Sequence, residues 1–201
     1  MAIEEKRVAK SAWIAFNPEF EEWWGELRDK AASLELDVFD QHPPVIPLLG
    51  TGEKEELKAA QIDPDDLAAR LAGSRHVANM AEKVRLIDIR DFGQRRLYGI
   101  VGAPPKPGAW PNAWDLSVAR RDLRRAVIAA EGGSEVIGRK RLLGAQVALG
   151  DIKSPEYVEF YIDELLGSDA WQRRPTEQVI SGLVINATVG NPVLVPLVRE
   201  N

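Results

Sequence analysis

The residues with the densest chemical potential in this chain are arginines. The segment Leu116 to Ala130 carries Arg120, Arg121, Arg124 and Arg125. On a helix turning 100° per residue with Leu116 at the origin, Leu123, Val127 and Ala130 fall within about 40° of it. The arginines follow at about 40°, 80°, 140° and 180°, in the order Arg120, Arg124, Arg121, Arg125. They form a flank beside an apolar stripe, and the planar donor fork of guanidinium suits phosphate or carboxylate. Arg139-Lys140-Arg141 and Arg95-Arg96 would extend the flank if the fold gathers them. Three uses compete: pairing with the chain's own acids or with water, contact with phosphates of a nucleic acid or nucleotide, and contact with an acidic surface of another protein. No aromatic ladder or nucleic-acid motif accompanies the arginines, which weakens the second use.

Other candidate chemistry is sparser. Gly50-Thr51-Gly52-Glu53-Lys54 follows an apolar strand and precedes a helical stretch. It departs from a phosphate loop, which needs four residues between its glycines and Ser or Thr after its lysine. Its acids instead suit the positive end of a helix. Asp37, Asp40 and His42 offer two carboxylates and an imidazole for a metal such as Mn²⁺ or Fe²⁺, yet they precede Pro43-Pro44 and read more simply as turn residues. Asp88 and Asp91 are spaced like paired metal-binding acids, but Glu82-Lys83 lacks the spacer of an acid-x-lysine element. His76 beside Ser74 does not define a triad, because triads are recognised by spatial geometry. The chain has no cysteine, which excludes thiol nucleophiles, disulfides and thiolate metal sites. No cofactor is expected.

The elements that must position these groups can be read from local signals. Asn17-Pro18-Glu19, Asp63-Pro64-Asp65 and Ser154-Pro155-Glu156 share a grammar of capping residue, proline and acid, which predicts three helix starts. The first helix runs to about Leu34, with Phe20, Trp23, Leu27, Ala31 and Leu34 on one face, and the second to Gly73. The third, Pro155 to Leu166, is apolar around most of its circumference, with Tyr157 and Tyr161 among its large side chains. Such a helix belongs deep in the domain or under a partner. Strands are expected at Ala12–Phe16, Val45–Leu49, Val84–Phe92, Leu97–Val101, Leu142–Leu149, Gln178–Val189 and Val193–Val198. Turns are expected at Phe92-Gly93-Gln94 and Gly190-Asn191-Pro192. Mixed elements without β-α-β alternation predict one α+β domain over residues 1–201, with a largely antiparallel sheet and four to five helices. Four prolines stiffen the connection Gly102 to Asn112, where Trp110, followed by Trp114, offers surface for the core or for a docked partner.

Charge along the chain is segregated. The 201 residues sum to −5. Residues 1–84 carry −7, residues 85–141 carry +6 and residues 142–201 carry −4. The start, with two acids and no apolar run, is unlike a secretory signal, so a cytoplasmic or virion location is expected. The uncharged stretch Gln178 to Val198 approaches the roughly 20 residues of a membrane helix, but its glycines, asparagines and prolines point to strands, and no membrane association is expected. These features fit a non-enzymatic structural or assembly subunit with other protein subunits as partners, for instance a neck or tail component of a tailed-bacteriophage virion. The alternative is a small nucleic-acid- or nucleotide-binding protein or enzyme using the arginine face of 116–130.

Overall fold

Strand β1 (Ala9–Phe16) is built from small and apolar residues whose alternate side chains are buried, among them Ala12, Ile14 and Phe16. The computed structural model describes residues 6–39, 43–72, 85–93, 95–102, 116–131, 144–175 and 179–196. Trp110, Trp114, Arg139, Lys140, Arg141, Asp40, His42 and His76 lie outside them.

The chain is an α+β protein in which every strand pairing among the described residues is antiparallel. The strands divide into two four-stranded sheets where a single sheet is the simpler expectation. One has the order β3-β1-β7-β8, with β3 at Val45–Pro47, β7 at Ile180–Ala187 and β8 at Val193–Pro196. The other has the order β2-β6-β5-β4, with β2 at Asp37–Val38, β4 at Arg85–Asp91, β5 at Arg96–Gly102 and β6 at Gln146–Asp151. Both expected hairpins form, and each uses a glycine with positive φ: Gly93 at 76° between β4 and β5, and Gly190 at 79° between β7 and β8.

Six α-helices lie among the described residues. Helix α1 (Pro18–Ser33) starts where expected, and the Asn17 carboxamide oxygen accepts the Phe20 N–H at 2.9 Å. Its buried face carries Phe20, Trp23, Trp24 and Leu27. Phe16 and Phe20 stack at 3.9 Å between ring centres, and the Trp23 indole N–H donates to the Ala170 carbonyl at 2.6 Å. Trp24 lies over Gly99 of β5 so closely that a Cβ there would sit 2.9 Å from its ring and 2.8 Å from Leu86. The glycine makes room for the indole.

Helix α2 (Thr51–Ala59) packs on β1, and α3 (Pro64–Ala72) on β7 and β8, so both cover the first sheet. Helix α4 (Ser117–Glu131) lies against α3. A second group, α1, α5 (Val158–Leu166) and α6 (Asp169–Gln172), packs mutually and reaches the second sheet through β2, β4 and β6. Core residues of both sheets belong to one buried cluster. The third expected helix begins differently from its grammar. Pro155–Tyr157 form a single 3₁₀ turn, and the Ser154 hydroxyl makes no capping bond, the Tyr157 N–H reaching the Ser154 carbonyl instead. No helix among the described residues is long and apolar enough to cross a membrane.

Candidate functional site

The arginine flank is split by the fold. Arg120 lies inside, 6% exposed, where its guanidinium meets the equally buried Glu53 of α2 at 2.7 and 3.3 Å and donates to the Leu48 carbonyl. At 40° from the apolar axis it sits on the core boundary, and an acid on the facing helix draws it in. Arg120 is therefore a core residue and not a solvent-facing phosphate contact. Glu53 has a second task, accepting the Gly50 N–H at 2.8 Å. The first turn of α2 is thus filled by the chain's own carboxylate, which is why the glycine-rich segment is not an anion cradle.

Arg121 and Arg125 face solvent. Arg125 is 4.0 Å from the Asp122 carboxylate. Arg124 is half-buried, its Nε covered and without a hydrogen-bond partner. The basic surface of α4 described here is thus Arg121 and Arg125, one turn apart.

The acid candidates do not converge. Asp37 is exposed at the edge of the second sheet. In β4, Asp88 and Asp91 are three positions apart and so project from opposite faces, which removes them as a shared metal site. Asp88 is also engaged, accepting from Arg90 at 2.6 Å and from the Ile89 N–H. Among the described residues, no group of three or more potential metal ligands occurs.

The apolar helix expected to be covered is at the surface. In α5 only Leu165 is buried, while Phe160 is 52% exposed and Tyr157, in the preceding turn, 55%. Tyr161 is half-buried and meets Phe160 edge-on at 5.7 Å. Counting from Glu159 at 100° per residue, Asp163, Phe160 and Glu164 follow at about 40°, 100° and 140°. The exposed ring therefore stands among acids. Glu164 reaches Lys30 at 3.5 Å. Glu156, Glu159 and Asp163 have no ion pair among the described residues.

A third feature has no local sequence signal. Between the two sheets lies a cleft of about 550 Å³, within the usual range for small-molecule sites. Its walls include Trp13, Trp24, Phe39 and Pro44, with Lys54 and Arg96 as the charged side chains among the described residues. Arg96 pairs with Asp151 through two hydrogen bonds, 2.6 and 3.1 Å, and its guanidinium stands 4.6 Å over the Phe39 ring. The bond to Asp151 raises the Arg96 pKa above its ordinary value against the opposing effect of burial, with help from the charge of Asp151 and from Tyr98. These groups come from both sheets and two helices, so only the register brings them together.

Compared with protein-family models and with curated proteins, the sequence finds a match in neither.

Proposed function

We propose that this chain is a non-enzymatic structural subunit that docks head to tail on further copies of itself. The observation that carries this reading is the exposed Tyr157–Phe160 patch, set among Glu156, Glu159 and Asp163, which have no ion pair among the described residues. An aromatic pair left in water amid like charges gains from a cover that is apolar in part and basic in part. The exposed Arg121 and Arg125 of α4, with apolar stems beneath their charged heads, supply such a cover on a second copy. A contact between two different faces is heterologous and generates rings or stacks. A place at the neck or tail of a tailed-bacteriophage particle is the finer form of this reading.

Sedimentation velocity over a concentration series, at low and high salt, tests it. The expected result is self-association at low salt that weakens as salt is added and is lost in Phe160→Ser and in Arg121→Glu/Arg125→Glu. Mixing the arginine variant with Glu159→Arg/Asp163→Arg should restore hetero-association. A strict monomer at high micromolar concentration, or association untouched by both variants, refutes the proposal. Salt-sensitive binding of DNA or RNA that Arg121→Glu/Arg125→Glu abolishes would put nucleic acid in its place.

A further inference from the structure

We infer that the cleft between the sheets is a binding site for a small organic anion with a flat aromatic body. Three observations lead there. The described lining includes two cations and no carboxylate, in a chain whose net charge is −5. Arg96 is already matched by Asp151, whereas Lys54 is exposed and has no ion pair among the described residues. Among the described residues of the cleft, Lys54 is thus the cation without an ion pair, and an acidic group on a ligand would meet it.

The walls set the body of that ligand. Trp13 is half-exposed on the cleft side of β1, Trp24 closes the space from α1, and Phe39 is fixed under the Arg96 guanidinium. Planar side chains of this kind favour planar guests by stacking. Register adds polar groups. Ser11 and Asn186 are direct partners across β1 and β7, so their side chains stand side by side on one face, and both line the cleft. A hydroxyl and a carboxamide so placed fix orientation, as the few polar groups of an otherwise apolar pocket do. A ring system carrying a carboxylate, sulfonate or phosphate ester satisfies the whole lining. A neutral hydrocarbon leaves Lys54 unmatched.

Titration of the full chain with two probes that share a ring system tests this. The probes are 1-anilinonaphthalene-8-sulfonate, an anion, and N-phenyl-1-naphthylamine, which lacks the sulfonate. Saturable binding of the anion is expected, with the neutral probe weaker. Lys54→Glu should weaken the anion roughly tenfold, since a hydrogen bond to a charged group is of that size, and leave the neutral probe nearly unchanged. Trp13→Ala should weaken both. Phe160→Ser, outside the described lining of the cleft, separates this site from the surface patch and should alter neither. Because Lys54 is exposed, its replacement leaves the fold intact, which the melting curve verifies. Equal affinities for the two probes, an unchanged anion affinity in Lys54→Glu, or binding that Phe160→Ser removes would each overturn the inference.

Discussion

Replacing Glu53 with alanine is the sharpest test of how this molecule disposes of its charge. The substitution strips the buried Arg120 guanidinium of a carboxylate 2.7 Å away and frees the Gly50 N–H at the start of α2. Removing one member of a buried ion pair costs about 3–5 kcal/mol, because a charge stays out of water without its partner. The lost bond to Gly50 adds on the order of 1 kcal/mol. In a domain of this size each kcal/mol lowers the melting temperature by roughly 2–4 °C, so a drop of about 10–20 °C is expected. Thermal unfolding followed by circular dichroism measures it. Urea titration should show a lower midpoint at constant slope, the mark of a stability change without a change in compactness. The double variant Glu53→Leu/Arg120→Met removes both charges and should recover most of the loss, since apolar replacements of buried pairs are often neutral or better. A Glu53→Ala melting point within about 3 °C of the parent would refute the reasoning. It would place Arg120 in water, where it could contact phosphate after all.

Two further predictions probe local structure. Gly99→Ala sets a Cβ 2.8–2.9 Å from Leu86 and Trp24 and should destabilise by about 1–3 kcal/mol through overpacking; calorimetry showing no loss would mean that the indole does not lie over β5. Asn17→Ala should cost about 1 kcal/mol by removing the α1 cap, whereas Ser154→Ala, at a position of the same sequence grammar whose hydroxyl caps nothing, should fall within roughly 0.5 kcal/mol of the parent. Equal losses in a pair of urea titrations would contradict the different geometries of the two sites.

Local signals carried the reading of elements further than the reading of sites. Seven strands and the starts of α1 and α3 stand close to where alternation, proline and capping residues place them, because those signals act over a few neighbours. The two-residue β2 and the four-residue α6 are too short to have a period. Nothing in the strand patterns specifies that β1 joins β7 while β5 joins β6, so the division into two sheets, and with it the cleft, is invisible before the register is known. Arg120 shows the same limit on one side chain. Its wheel position left it on the boundary between core and solvent, and a glutamate 67 residues away settled the matter. The apolar character of α5 was legible as well, but composition does not distinguish a helix buried by its own chain from one left at the surface.

The segregation of charge along the chain is largely consumed within it. The basic middle segment gives Arg120 to Glu53 and Arg96 to Asp151. The acidic first segment also takes Arg173 onto Glu26 and sends Lys30 to Glu164. The two pairs last named are exposed and contribute under about 1 kcal/mol each. Their consequence is spatial, because each removes a charge from the set available to a partner. Among the described residues of α4 and of the turn that leads into α5, that subtraction leaves Arg121 on one helix and Glu156, Glu159 and Asp163 around the exposed aromatics of the other, with Arg125 held only by a contact at 4.0 Å. Opposite charges carried on two different helices repel like copies of their own face and attract the other. Under the proposed self-assembly, that asymmetry favours a head-to-tail contact over a symmetric dimer through the α5 patch, where Glu159 and Asp163 of two copies would meet.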